Sequence, residues 1–349
     1  MVQNKAIVFK SVPHGYPNSD NLRLETLSVD LDAVPAGGMI LKNGVVSFDP
    51  YMRGRMRPAE TKSYSAAFAL NAPIDSAGVS KVVKSDSPDF KVGDIVTGHV
   101  GMEEYAVVPK ERLGGFKVLD NKEGLPPSYY LGILGMPGLT AYSSFYEIGK
   151  PKKGETIFVS AASGAVGAIV GQLAKREGLR VVGSAGTDEK VAFLKSELGF
   201  DAAFNYKTES PSAALKKHAP EGIDIYYDNV GGETLDAALD AAKDFARFIE
   251  CGMISQYNLK SKDEIYGLKN TMQIVAKRLT IRGFIVGDKD FGPKYSKEHQ
   301  ENIRKWLVNK EFVYRETVTE GLENAVDGFV GMLKGENFGK ASLKIADLE

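Results

Sequence analysis

Two patterns along the 349 residues predict an α/β protein that combines a β-barrel-like domain with a doubly wound parallel sheet. Up to about residue 125, short β-like runs are separated by glycine and proline. From about residue 126, strands alternate with helical stretches. A chain of this length with 43% hydrophobic residues can form two hydrophobic cores, so we predict two domains.

The first domain is predicted over residues 1–125, with strands at 6–9, 39–48, 77–83, 94–100 and 105–108. The second is predicted over residues 126–311, with strands at 156–160, 180–184, 202–205, 223–227, 245–250 and 279–284. Six parallel strands with helices between them would form a complete nucleotide-binding sheet.

The tail over residues 312–349 contains a strand-like run at 313–318, an amphipathic stretch at 322–333 and a second strand-like run at 341–345. We expect it to return to the first domain. The active site is then expected in the cleft between the two domains.

The most informative segment is the small-residue turn after the strand at 156–160. Ala162, Gly164 and Gly167 occupy the glycine positions of a G-x-G-x-x-G pattern whose first glycine is replaced. Such a turn lets a pyrophosphate approach the backbone, and the helix that follows offers free N–H groups. The same pattern also occurs where a helix packs tightly on a strand, so both interpretations remain open at this point.

The end of the next strand distinguishes the two nicotinamide cofactors. An NAD site normally has Asp or Glu there to bind the ribose 2′-hydroxyl, whereas this chain reads GSAGT at 183–187. Lys190 follows at the start of the next helix and can pair with a 2′-phosphate. We therefore predict NADPH. The alternative is that Lys190 is an ordinary solvated helix lysine.

Composition argues against several other classes of function. The net charge is −1 without long charged blocks, so nothing indicates nucleic acid or a membrane surface as a partner. No apolar run approaches membrane-spanning length, and a cytoplasmic protein is predicted. A single cysteine, Cys251, and four dispersed histidines do not form a zinc-ligand pattern, so no metal is predicted.

Several short motifs are spread along nearly the whole chain. They are SFDPYMR at 47–53, MPGLTAY at 136–142, AASGAVG at 161–167, NYK at 205–207, DNVGG at 228–232, CGMISQYN at 251–258 and NFGK at 337–340. As an ordered set they resemble the zinc-free medium-chain dehydrogenases/reductases, in the branch of prostaglandin reductases, alkenal double-bond reductases and curcumin reductases. The resemblance implies a GroES-like β-domain, a Rossmann domain, NADPH as the hydride donor, a homodimer, and reduction of a C=C bond conjugated to a carbonyl.

The implied reaction adds hydride to the β-carbon of an enone or enal and protonates the resulting enolate, whose oxygen needs a hydrogen-bond donor. The resemblance places Tyr257 beside the nicotinamide ribose and makes it the first candidate for that donor or for a proton relay. Its alternative role is only to hold the cofactor. Tyr51 is the second candidate, with packing in the β-domain as its alternative.

The resemblance also implies cofactor contacts. The pyrophosphate would lie on Gly164, Ala165, Val166 and Gly167, and the 2′-phosphate on Lys190 and Tyr206. The nicotinamide half would be lined by Asn229, Cys251, Gly252, Ile254, Ser255, Tyr257, Phe284, Ile285 and Val286. Asn337 would close over the cofactor from the tail.

Two alternative functions share these cofactor motifs. One is an NADPH quinone reductase, which the motifs at 49–53 and 251–258 argue against. The other is a non-catalytic NADPH-binding protein.

Overall fold

The computed structural model describes residues 1–348 and divides into two compact units. One contains Met1–Gly132 and the segment that begins at Glu316, and the other contains Ile133–Arg315. The first boundary falls after the short 3₁₀ helix Pro127–Leu131, because this helix packs on strands of the first unit. The second falls after Val313, whose backbone exchanges hydrogen bonds with Gln172 of the second unit at 2.7 and 2.9 Å.

The elements follow one another in the order unit one, unit two, unit one. The first unit begins with β1 (Val2–Phe9), β2 (Leu22–Val29), β3 (Met39–Ser47), α1 (Tyr51–Arg55), β4 (Asp75–Ser85), β5 (Ile95–Gly101), β6 (Tyr105–Val108) and β7 (Lys117–Val118). The second contains α2 (Met136–Ser144), β8 (Thr156–Val159), α3 (Gly167–Arg176), β9 (Arg180–Ala185), α4 (Asp188–Ser196), β10 (Ala202–Asn205), α5 (Pro211–His218), β11 (Ile223–Asp228), α6 (Gly232–Ala241), β12 (Ala242–Glu250), α7 (Met272–Ala276), β13 (Thr280–Gly283) and α8 (Gly292–Val308). The tail adds β14 (Glu316–Glu320), α9 (Ala325–Leu333) and β15 (Lys340–Lys344).

The first unit contains a two-stranded sheet, β1 with β2, and a seven-stranded sheet in the order β14-β15-β3-β4-β5-β7, with β6 also paired to β3. One edge of β3 serves two partners: Met39–Lys42 pair with β6, and Val45–Ser47 pair with β15. The tail therefore completes a sheet begun some 300 residues earlier. The five strands predicted for this domain are present. Strands β2 and β7 were missed. Only the first and last residues of β2 are buried, so it carries no alternating pattern, and β7 is only two residues long.

The second unit contains a six-stranded parallel sheet in the order β10-β9-β8-β11-β12-β13. This is the doubly wound order, and it confirms the predicted fold class. The inner strands are continuous apolar runs, such as the fully buried Ile157, Phe158 and Val159, because helices cover both faces of a parallel sheet. No helix among residues 1–348 is long and apolar enough to cross a membrane.

The turn between β8 and α3 packs directly against β9. The Ala162 amide donates to the Ser184 carbonyl at 2.8 Å. A Cβ at Gly167 would lie 2.6 Å from the Ala161 carbonyl oxygen, so only glycine lets α3 begin this close to the turn. Position 162 can hold alanine because the residue opposite it, Gly183, has no side chain. A Cβ at Gly183 would lie 2.9 Å from the Cβ of Ala162.

This packing predicts that Gly183→Ala lowers the free energy of unfolding by about 1–3 kcal/mol, because the added methyl group would overlap the Phe200 ring, at 2.7 Å, and the Cβ of Ala162, at 2.9 Å. Gly283→Ala is the matched control, since a Cβ at this strand residue would have no atom within 4 Å. Thermal denaturation of both variants beside the wild type measures the difference. Equal stability of all three proteins would contradict the proposed packing.

Candidate active site

The residues predicted to bind the cofactor from the second unit follow strands of one sheet. Lys190 and Tyr206 follow β9 and β10, on one side of β8, whereas Asn229, the loop 251–257 and the turn 284–286 follow β11, β12 and β13 on the other. Because the strands are parallel, all of these carboxyl ends meet at the same edge of the sheet.

The adenosine-side candidates lie at the end of β9. The Tyr206 amide donates to the Ala185 carbonyl at 3.1 Å, and its hydroxyl lies 3.1 Å from where a Cβ of Gly186 would be. Thr187 caps α4 by accepting the Lys190 amide at 3.2 Å. Lys190 is only 6% exposed, so it is not the solvated helix lysine of the alternative interpretation.

The DNVGG and CGMISQYN motifs form one pair of interlocked loops after β11 and β12. The Ser255 hydroxyl donates to the Val230 carbonyl at 2.6 Å, and the Ile254 amide donates to the Asn229 carbonyl at 3.3 Å. Gly231 has φ +71°, and a Cβ there would lie 2.8 Å from that of Met253. The two loops can approach this closely only with glycine at that position.

Asn229 connects the loop pair to the end of β8. Its side-chain amide donates to the Ser160 carbonyl at 2.8 Å, and its backbone amide donates to the Ser160 hydroxyl at 2.9 Å. Ser160 therefore holds together the ends of the two strands at which the strand order reverses. Its role was missed by sequence analysis, which identified it only as the end of a strand.

Tyr257 lies within this loop pair. Its hydroxyl accepts the Met253 amide at 3.3 Å and would lie 3.0 Å from a Cβ of Gly252. The phenol therefore supports the backbone of its own loop.

The thiol of Cys251 contacts the Tyr227 hydroxyl. Burial raises the pKa of this thiol to about 12, so it is protonated at neutral pH and is a poor nucleophile. The Cys251 amide donates to the Asp228 carbonyl at 3.0 Å, which ties the start of this loop to the end of β11.

The turn after β13 and the tail motif supply the remaining candidates. Phe284 packs on Phe291 with ring centroids 4.8 Å apart, while Ile285 is 39% exposed, and the Val286 carbonyl accepts the Gly292 amide at 2.8 Å. In the first unit, the side-chain amide of Asn337 donates to the Gly339 carbonyl at 2.7 Å.

Tyr51 is the first residue of α1, in the first unit. It is half-buried, and its hydroxyl lies beside Ser76. Burial, followed by the negative charge of Asp49, raises the pKa of this phenol to about 12. Tyr51 is therefore a neutral hydrogen-bond donor at physiological pH.

A buried lysine fixes the segment that carries Tyr51. Lys340 is 1% exposed; its ammonium group donates to the Phe48 carbonyl at 2.7 Å and lies 3.4 Å from an Asp49 carboxylate oxygen. Asp49 also accepts the Ser47 hydroxyl. Two motifs almost 300 residues apart, SFDPYMR and NFGK, thus meet through one ion pair. Sequence analysis singled out both motifs but not this connection.

Among residues 1–348, no three His, Cys, Asp or Glu side chains are placed to hold a metal ion together. The metal-free site expected from the sequence stays a prediction, which metal analysis of the purified protein tests.

Comparisons with known proteins identify the class. The matching family models are described as N-terminal domain of oxidoreductase, over residues 5–115, and zinc-binding dehydrogenase, over residues 165–301. An NADP-dependent oxidoreductase of Cochliobolus heterostrophus is 51% identical over 350 residues, covering 100% of this chain and 99% of the relative. A 2-alkenal reductase (NADP(+)-dependent) of Nicotiana tabacum is 47% identical over 350 residues, covering 99% and 98%.

Among solved structures, CurA from Vibrio vulnificus in complex with NADPH matches with a TM-score of 0.90 and 38% identity, over 98% of this chain and 99% of that one. The chain therefore belongs to the medium-chain dehydrogenase/reductase family. Within it, the chain falls in the branch of alkenal double-bond and curcumin reductases, and it is an NADP-dependent oxidoreductase.

Proposed function

We propose that this protein reduces the C=C bond of α,β-unsaturated aldehydes and ketones with NADPH. The observation that carries the proposal is the arrangement of candidate residues along the carboxyl edge of the six-stranded sheet. An extended dinucleotide fits that arrangement, with its 2′-phosphate at Lys190 and Tyr206 and its nicotinamide half at the loops after β11, β12 and β13. Between them, the turn 164–167 provides a side-chain-poor helix N-terminus for the pyrophosphate.

When bound, NADPH supplies a hydride for the β-carbon of the substrate. The electron pair of the C=C bond then moves to the carbonyl oxygen, and a proton must reach the α-carbon. Tyr51 is the stronger candidate for stabilising that oxygen through a hydrogen bond, since its phenol is half-buried and stays protonated at physiological pH. Tyr257 is better suited to positioning, because its hydroxyl already supports the loop at Met253 and Gly252.

An NADPH-consumption panel with linear alkenals, aryl enones and quinones tests the reaction, with the products identified. The expected product is the saturated carbonyl compound. An allylic alcohol would place the hydride on the carbonyl carbon and refute the proposal. Turnover restricted to quinones would favour a quinone reductase, and NADPH binding without turnover would favour a non-catalytic role.

Cofactor choice is expected to depend on Lys190. Lys190→Ala removes a charge-assisted phosphate contact and should weaken NADPH binding about 10- to 100-fold while leaving NADH binding nearly unchanged. Lys195→Ala, at an exposed position in the same helix, is the control. Titration of each protein with both cofactors measures the affinities. An equal loss of affinity for NADPH and NADH in Lys190→Ala would refute the assignment of Lys190 to the 2′-phosphate.

The two tyrosines are expected to differ in kinetics. Tyr51→Phe should lower kcat about 100-fold with little change in NADPH affinity, because a donor to the developing oxyanion is lost. Tyr257→Phe leaves the Met253 amide without its acceptor and should mainly raise the KM for NADPH. Steady-state kinetics of both variants with one enone measure kcat and the KM for NADPH. A lower kcat for Tyr257→Phe and a higher KM for Tyr51→Phe would exchange the two roles.

The cytoplasmic location remains a prediction.

We further infer that the protein forms a homodimer through the outer edge of β13. Strand β13 ends the parallel sheet, and exposed apolar side chains lie on it and near it in the chain, including Ile281, Val275 and Met272. Light scattering should show a dimer for the wild type and a monomer for Ile281→Lys. Val318→Lys, on the edge strand β14 of the other sheet, should remain dimeric. A wild-type monomer would contradict the inference.

A further inference from the structure

Two carboxyl groups face each other below the loop pair of the second unit. Asp228 and Glu250 are the last residues of β11 and β12, and the parallel register places them directly opposite. Their carboxyl groups lie close enough to interact, and a proton on either one would let it donate a hydrogen bond to the other. On its other side, Glu250 is paired in register with Gly283, which carries no charge.

The two carboxyl groups have very different surroundings. Oδ1 of the fully buried Asp228 accepts hydrogen bonds from the Tyr226 hydroxyl at 2.7 Å and from the Val230 and Gly231 amides at 2.8 Å. In contrast, Oδ2 of Asp228 and both carboxylate oxygens of Glu250 are buried and accept no hydrogen bond from residues 1–348. Within residues 1–348, the other titratable groups that interact with the pair are Tyr226 and Cys251, and neither is cationic.

Two buried carboxylates in contact, without a cation, cannot both be charged at moderate cost. A single proton removes the conflict. If Glu250 carries it, its O–H donates to Oδ2 of Asp228, and the charge stays on Asp228, which already has three strong donors. Burial, followed by the charge of Asp228, raises the pKa of Glu250 from its ordinary value of 4.5 to about 9.

We propose that Glu250 is a positioning residue: it holds a proton at neutral pH, shares it with Asp228, and thereby fixes the 228–232 loop for the nicotinamide half of NADPH. Asp228 is the link, because its Oδ1 holds the amides of Val230 and Gly231, and its carbonyl accepts the amides of Cys251 and Gly252 at 3.0 Å. The effect on NADPH binding rests on the proposed function, whereas the sharing of a proton between Glu250 and Asp228 is independent of it.

Unfolding measurements test the proton. Glu250 loses its proton above its ordinary pKa in the unfolded chain but keeps it in the folded protein, so rising pH favours unfolding of the wild type up to the folded-state pKa. Glu250→Gln keeps a donor for Asp228 and does not titrate. The ratio of unfolding equilibrium constants, wild type over Glu250→Gln, should therefore rise by up to about tenfold per pH unit between about pH 5 and 9 and then level off.

Glu233→Gln is the matched control, since Glu233 is exposed in the first turn of α6, close in sequence to the same loop. Its ratio to the wild type should stay nearly constant with pH. A constant ratio for Glu250→Gln as well would overturn the proposal. If that variant does not fold, the infrared band of a protonated carboxylic acid decides: the wild type should retain a band at about pH 8 that is lost by about pH 10. Absence of that band at about pH 8 would overturn the shared proton.

NADPH titration tests positioning. At about pH 7.5, the dissociation constants of the wild type and Glu250→Gln should agree within about twofold, and above about pH 9 only the wild type should lose affinity. Identical pH profiles would remove Glu250 from cofactor positioning. Failure of both proteins to bind NADPH at about pH 7.5 would instead refute the proposed function, while the unfolding ratio would still decide the shared proton.

Discussion

Parallel pairing of β8 with β9 on one side and β11 on the other is the constraint on which the second unit depends. It brings the carboxyl ends of the inner strands to one edge, so the loops that follow them become neighbours although they are far apart in the chain. Ser160 secures the junction by binding both the backbone and the side chain of Asn229. Small residues then let the turn and helix α3 approach that edge, most clearly Gly167 and Gly183.

In the first unit, a buried ion pair plays the organising role. The segment 47–53 is held by Lys340, an almost fully buried cation that bonds a carbonyl and a carboxylate at once. A buried ion pair is costly unless both partners are well supplied with hydrogen bonds, and here Ser47 and the Phe48 carbonyl supply them. The result is a fixed starting point for α1 and for the phenol of Tyr51.

The sequence was sufficient to predict the fold class and most strands, because buried parallel strands are continuous apolar runs and the turn at 161–167 has a local pattern. It also marked the loops that form the candidate site. It could not identify the pairs that depend on register between distant segments. In the sequence, Glu250 is only the polar residue at the end of a strand. The pairing of β12 with β11 places it opposite Asp228. Likewise, the replacement of the first glycine by Ala162 gained its explanation only from Gly183 across the turn.

The shared edge of β3 has a consequence for how the chain folds. During synthesis, Met39–Lys42 find their partner β6 within about 70 residues, but Val45–Ser47 must wait for β15. The whole second unit is made in between, so it can form before the first sheet is complete. During that interval Val45–Ser47 form an unpaired strand edge, and such edges promote association between nascent chains. Only when β15 emerges can it pair with this part of β3 and close that edge.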